Sequence, residues 1–337
     1  MHKTGTTSFQ RSLAFRVNEQ SARDGWLLAT TPREVLVRSH TYQPLWVRQL
    51  GGQIRAGQNV LISHEGLSVL SGAQWSQLLH DLNLPSASIQ TVIVFRHWNT
   101  WLVSRWQQSC KACDGLSFHS FIRQLLDWPQ PRIDFDYDLC LLHPQQAGLA
   151  PSRVLGYEHA LQAHGSILPD LYRATGLTPS RPHEIRANVS AGQPRTDTLR
   201  MLNALLSHLL GHSDHMSSLG AATYRANPYV YQLQLDTSNQ AIWQPFHQQL
   251  QPLLQESHAP VDSRLFQAIT IRQQKLEEAT RGLVYNSPDG RLFPANLKPW
   301  NPAATFATLE FNDLSPSLKQ QAHQVLRELG VLRRFNL

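Results

Sequence analysis

The sequence predicts an α/β fold in which a parallel sheet is covered by helices on both faces. Three observations carry this: the strand-like runs are short, continuous and apolar; helical periods separate them; and the chain is long enough to bury a large core. The 337 residues are 41% hydrophobic with nine tryptophans, enough for one large α/β domain or one domain with an appendage.

Taken in order, Phe9, Leu13 and Val17 recur every four residues and predict a helix over 6–18 with one buried stripe. Trp26-Leu27-Leu28-Ala29 after Gly25 reads as a first buried strand. Residues 59–63, Asn-Val-Leu-Ile-Ser, read as a second, and 91–95, Thr-Val-Ile-Val-Phe, as a third with strong β-branched content. A weaker fourth covers 153–157. Helical patterns fill 74–82, 100–113, 117–127 and 158–176 between them, and Leu199, Leu202, Leu206 and Leu209 predict a helix over 197–210.

After Gly211 the pattern loosens, with helices expected at 243–255, 263–280 and 315–329. Ser315 caps the last of these, Pro316 takes its first position and Gly330 lies past its end. We therefore expect a sheet domain over 1–210 and a mainly helical extension over 211–337, contributing on the substrate side. In open parallel sheets ligands sit beyond the C-terminal strand ends, so the polar residues after Ile62 and Phe95 matter most.

Composition narrows the function. No apolar run approaches eighteen residues, so no membrane span is expected. No basic, apolar and small-residue leader is present in the sequence as given, though a late start would conceal a short one. Three cysteines, Cys110, Cys113 and Cys140, suit a reducing compartment, and a cytoplasmic location is expected. Cys110-Lys111-Ala112-Cys113 has the spacing of a metal or redox pair but lacks a second pair, and reads as two thiols on a helix turn. His208, His212 and His215 cluster without a carboxylate partner, so no metal is expected. The net charge of +6 comes overwhelmingly from arginine, which suits phosphate, sulfate or acidic polymers. No nucleic-acid-binding signature accompanies it.

Two segments carry chemistry. The chain opens Met1-His2-Lys3-Thr4-Gly5-Thr6-Thr7-Ser8, a lysine, a glycine and hydroxyls directly before a helix. Glycine lets the backbone approach an anion, hydroxyls add donors, and the helix contributes its positive end. The lysine precedes the glycine, unlike the nucleotide-triphosphatase loop G-x-x-x-x-G-K-[ST]. In the second segment Arg96 closes the third strand and Ser104 follows eight residues later, which can place a guanidinium and a hydroxyl on one anion.

Together these segments resemble the sulfotransferase superfamily that uses 3′-phosphoadenosine 5′-phosphosulfate (PAPS). The likeness looks closest to bacterial members of the branch containing the carbohydrate sulfotransferases. Asp136-Tyr137, the strand-end pair Tyr157-Glu158 and Asn188-Val189-Ser190 add to it. It covers about residues 1–210.

The resemblance implies a three-layer sandwich with a central parallel sheet, of the P-loop nucleotide-kinase-like type. It implies that Lys3, Thr4, Gly5, Thr6, Thr7 and Ser8 hold the 5′-phosphosulfate, with Lys3 stabilising the departing phosphate. Arg96 and Ser104 would hold the 3′-phosphate. A base near the attacking hydroxyl is then needed, and His64-Glu65-Gly66 follows the second strand; Glu65 is favoured, with His64 as the rival. Glu158 is read as stabilising the fold or orienting a loop. Ser8 stands where cytosolic members carry an adenine-stacking aromatic, so that partner is left open, as is the reach of Arg186. The expected product is PAP and the expected acceptor a hydroxyl compound, a saccharide first. The runners-up are a P-loop nucleotide kinase and a non-catalytic member binding an acidic glycan or partner.

In the family a strand precedes the loop, in the middle of the sheet. Five or six apolar residues there would contribute on the order of 10 kcal/mol on burial, against about 5–15 kcal/mol for a whole domain. The reading frame is therefore expected to extend upstream into an apolar strand ending near a glycine, and a chain made without it to fold poorly and bind PAPS weakly. The nucleotides before the first codon test this: an apolar coding run is the expected result, and an adjacent upstream stop codon the contrary one.

Overall fold

The computed structural model describes residues 6–14, 26–29, 37–38, 41–42, 44–54, 58–63, 65–111, 115–129, 135–177, 193–210, 235, 238–297 and 304–334. Over these the protein is mixed α/β and mostly helical, with small parallel sheets. The chain divides into two compact units: Met1–Trp101, Gln130–Val189 and Ile269–Lys298 form one, and Leu102–Pro129, Ser190–Ala268 and Pro299–Leu337 the other. Residues 269–298, grouped by sequence with the C-terminal extension, thus pack in the first unit.

The first unit opens with helix α1 (Thr6–Ala14), strand β1 (Trp26–Ala29) and the short antiparallel pair β2 (Val37–Arg38) and β3 (Thr41–Tyr42). Helix α2 (Pro44–Gly51), strand β4 (Asn59–Ile62), helix α3 (Gly72–Leu82) and strand β5 (Val92–Phe95) follow. Helix α4 (Trp98–Lys111) then carries the chain into the second unit, where α5 (Phe118–Asp127) lies. Helix α6 (Leu139–Gln146), strand β6 (Arg153–Gly156) and helices α7 (Tyr157–His164) and α8 (Leu168–Thr175) return it to the first.

The four expected strands form. β1 pairs with β4 in parallel, Trp26 opposite Asn59 and Ala29 opposite Ile62, and β5 pairs with β6 in parallel, Val92 opposite Arg153 and Phe95 opposite Gly156. The other side of β6 is taken by the segment around Val284: Val154 N–H donates to the Leu283 carbonyl at 3.0 Å and Tyr285 N–H to the Val154 carbonyl at 2.8 Å. Asn286 brackets Gly156, accepting from its N–H at 2.9 Å and donating to its carbonyl at 3.0 Å. A side chain on Gly156 would collide with the Leu292 carbonyl oxygen, which is why glycine stands at this close backbone approach.

Helix α1 buries Phe9 and Leu13 as the four-residue period predicts, in a cluster with Val94, Leu155, Leu171 and Tyr172. The Gln10 side-chain amide donates to the Ser63 carbonyl at 3.0 Å, tying α1 to the residue after β4. Helix α3 starts on a reciprocal capping box between Ser71 and Gln74 and ends at Asn83 in the left-handed conformation, φ 53°. Its Trp75, Leu78, Leu79 and Leu82 pack with Val47 and Leu50 of α2.

The single helix expected over 158–176 is two, α7 and α8. Gly165, at φ 66°, caps the first in the left-handed region, and Pro169, which lacks an N–H, opens the first turn of the second. Helices α2 and α6 were not anticipated, because α6 carries an internal Pro144 and α2 is short.

In the second unit, α9 (Gln193–Leu209), α10 (Gln240–Glu256), strand β7 (His258–Pro260) and the start of α11 (Arg264–Ala279) precede strand β8 (Thr305–Ala307) and helix α12 (Pro316–Glu328). Leu202 and Leu206 of α9, Phe246 and Leu250 of α10, and Ala322 and Leu326 of α12 form its core. Within it the fully buried Arg200 guanidinium donates from Nε to Asp197 at 2.7 Å, with Glu310 at 3.6 Å. Ser315 caps α12, accepting from the Leu318 N–H at 3.3 Å, with Pro316 next. Among the described residues no helix is long and apolar enough to cross a membrane.

Candidate functional site

The adjacent ends of β5 and β6 build a polar cluster in the first unit. Because Phe95 lies opposite Gly156 in a parallel register, Arg96-His97 and Tyr157-Glu158 leave the sheet side by side at its C-terminal edge. The two turns differ in their continuation. After β5 two residues intervene before α4 begins, whereas Tyr157 is itself the first residue of α7.

Glu158 joins them. Its side chain is buried, and its two carboxylate oxygens accept from the His97 N–H at 3.1 and 3.2 Å. Thr100, in the first turn of α4, places Oγ1 3.2 Å from Glu158 Oε1 and accepts from Arg96 Nε at 2.9 Å. The Arg96 guanidinium also lies over the Tyr157 ring, 5.1 Å from its centre. One dipeptide therefore touches the end of β5 twice, through a stacked ring and through a carboxylate. Burial pushes the Glu158 carboxyl above the usual glutamate range, opposed by the His97 N–H, the Arg96 charge and the Thr100 hydroxyl.

His97 is the second buried polar group. The Asn99 N–H donates to His97 Nδ1 at 3.1 Å, so Nε2 carries the proton and donates to Gln273 Oε1 at 3.1 Å. Gln273 in turn donates to Glu277 at 2.8 Å, one turn further along α11. Burial holds the imidazole below its ordinary value, opposed by the Gln273 bond and the Glu277 charge. The ring meets Phe293 edge-on, with centroids 4.8 Å apart.

Aromatic packing fixes the same turn from beneath. Tyr137 stacks on Phe95 at 5.4 Å and on Trp98 at 4.6 Å, the two residues that flank Arg96-His97. The Trp98 indole donates to the Phe135 carbonyl at 3.2 Å. Asp136, between Phe135 and Tyr137, forms an ion pair with Arg272, whose Nε lies 2.9 Å from Oδ1.

Of the residues expected at the site, Arg96 is in this cluster. Ser104 is buried on α4, one turn past Thr100, so the two hydroxyl residues share a helix face. Ser8 is half-buried in the first turn of α1, which Thr6 opens. Glu65 opens a 3-10 turn over Glu65–Val69 just after β4. Lys3, Thr4, Gly5 and His64 lie outside the described residues, as do the side chains of Thr6, Thr7 and Glu65. Arg186, Asn188-Val189-Ser190, Cys113, His212 and His215 also lie outside them. Cys110 and Cys140 are buried free thiols. Among the described residues no group of three or more His, Cys, Asp or Glu is arranged to hold a metal ion.

Sequence reasoning did not foresee Thr100, Gln273 or Glu277. Thr100 had a usable signal, standing one helical turn after Arg96 in a segment already read as helix. Comparison with protein-family models, with curated proteins and with solved structures finds no match to the chain.

The sign of the His97 shift gives a prediction. With a folded value below the unfolded value of about 6.5, the unfolded chain takes up the proton first as pH falls. The stability that neutral His97 contributes is present above about pH 6.5 and is lost as pH drops through that value. An NMR titration of the His97 ring signals checks this. The expected midpoint lies below that of an exposed histidine, with Nε2 protonated throughout; a midpoint at or above about 6.5 would mean that Glu277 outweighs burial.

Proposed function

We propose that the protein is a sulfotransferase that moves a sulfuryl group from PAPS to a hydroxyl acceptor, a saccharide being the first candidate. The observation that carries the reading is the Arg96 guanidinium at the C-terminal edge of β5, bonded through Nε to Thr100 and lying over the Tyr157 ring beside the start of α4. A guanidinium oriented through its Nε and set beside a strand end is a donor suited to a phosphate monoester. That chemistry fits the 3′-phosphate which distinguishes PAPS from ordinary adenylates.

The finer architecture belongs to the same proposal: β1–β4 and β5–β6 are parts of one central parallel sheet in a three-layer sandwich. Two findings support it. Helix α1 is bonded to the end of β4 through Gln10 and packs its Phe9 and Leu13 with Val94 of β5 and Leu155 of β6. The phosphate-loop sequence Lys3-Thr4-Gly5-Thr6-Thr7 leads directly into that helix.

On this reading the acceptor oxygen attacks sulfur in line, forming one S–O bond as the bond to the 5′-phosphate oxygen breaks. The electron pair leaves on the 5′-phosphate, stabilised by Lys3, and the acceptor proton passes to Glu65 or, as the rival, His64. Glu65 follows β4 at the same kind of strand end as Arg96 follows β5.

The test is direct. The purified protein is incubated with PAPS and a panel of saccharide and small-alcohol acceptors, and PAP release and sulfated product are measured. Turnover with one acceptor class is expected, and Arg96→Ala should weaken PAP binding about 10- to 100-fold, the loss of a charge-assisted pair of bonds. Absence of PAPS and PAP binding by folded protein expressed from the full reading frame overturns the reading.

A further inference from the structure

We infer that Glu158 is a positioning residue for nucleotide selectivity: it orients the Arg96 guanidinium, through the His97 backbone and the Thr100 hydroxyl, for recognition of the 3′-phosphate. The inference rests on the sulfotransferase reading and assigns a role to a residue expected from sequence only to steady the fold or a loop.

Three contacts carry it. The first fixes position: both Glu158 oxygens accept from the N–H of His97, the residue directly after Arg96, at 3.1 and 3.2 Å. The second fixes rotation: Thr100 Oγ1 accepts from Arg96 Nε at 2.9 Å while standing 3.2 Å from Glu158 Oε1. The hydroxyl's one proton lies between two acceptors, Glu158 Oε1 at 3.2 Å and the His97 carbonyl at 3.3 Å, so while Thr100 Oγ1 accepts from Nε it ties the guanidinium both to the carboxylate and to the turn that the carboxylate holds. The third fixes tilt: the guanidinium lies over the Tyr157 ring, and Tyr157 directly precedes Glu158 on α7. An arginine has many rotamers, and holding it before the anion arrives removes that cost from binding.

The charge of Glu158 opposes this role, since a carboxylate near a phosphate site repels the ligand. The two effects have opposite signs in one experiment. If repulsion dominates, removing the charge strengthens phosphate binding; if orientation dominates, it weakens it.

The discriminating readout is the ratio of affinities for PAP and for 5′-AMP, which lacks the 3′-phosphate, measured by calorimetry on the folded full chain. Wild type is expected to prefer PAP. Glu158→Gln is expected to lower PAP affinity about fivefold to twentyfold and to change AMP affinity less than about twofold. Thr100→Val, at an exposed position, is expected to change the ratio in the same direction, with the thermal unfolding of the variant checked beside it. If Glu158→Gln does not fold, Thr100→Val carries the test alone.

A wild-type protein that binds PAP no better than AMP removes the sulfotransferase reading and this inference with it. A wild-type preference that survives both variants overturns the inference alone, as does tighter PAP binding by Glu158→Gln or an equal loss of PAP and AMP affinity.

Discussion

The bond between the buried Glu158 carboxylate and the His97 backbone N–H is the constraint on which the first unit's polar edge depends. β5 and β6 already run side by side, but ladder hydrogen bonds end at Phe95 and Gly156. Beyond them the chain must turn into α4 and α7, and nothing in the strands dictates how the two turns meet. Glu158 supplies that link from the first turn of α7. A carboxylate in this place costs desolvation, and the His97 N–H, the Thr100 hydroxyl and the Arg96 charge offset it. Removing it would leave a buried N–H without its acceptor, a loss of about 1–3 kcal/mol.

The surrounding packing follows from the same need. Tyr137 lies against Phe95 and Trp98, so the residues on either side of Arg96-His97 are held by one ring. Asn286 closes the other turn by bonding both polar atoms of the Gly156 backbone, and Asp170 accepts from the same amide at 2.8 Å. His97, too enclosed to charge readily, is kept in one tautomer by Asn99 and Gln273. The cluster is therefore rigid on the side facing the core, while Arg96 and Thr100 remain on its more open side. That division suits a site in which a preorganised cation meets an anion from solution.

Much of this was legible because it follows from local pattern. The four short apolar runs became β1, β4, β5 and β6, and the stripe of Phe9 and Leu13 became the buried face of α1. Ser315 and Pro316 announced α12 by capping chemistry alone. Arg96 could be placed at a strand end because β-branched residues precede it. What escaped was long-range. Gln273 reaches His97 across 176 residues and Asn286 reaches Gly156 across 130, separations over which no period survives. The split of the 158–176 helix was marked by Gly165 and Pro169, but Leu161, Leu168 and Leu171 keep an apolar rhythm across the break and mask it. Tyr137 and Glu158 were visible as strand-end and motif residues, while their partners were not.

Native-state hydrogen exchange at the His97 amide tests the central constraint most directly. An N–H held by a buried carboxylate opens only when the packed ends of β5 and β6 come apart. The His97 amide should therefore exchange as slowly as the amides of Ile93 and Phe95, which face β6, although it lies outside the strand. Exchange at the rate of an open turn would contradict the account, because Glu158 would then not be holding the end of β5 in place.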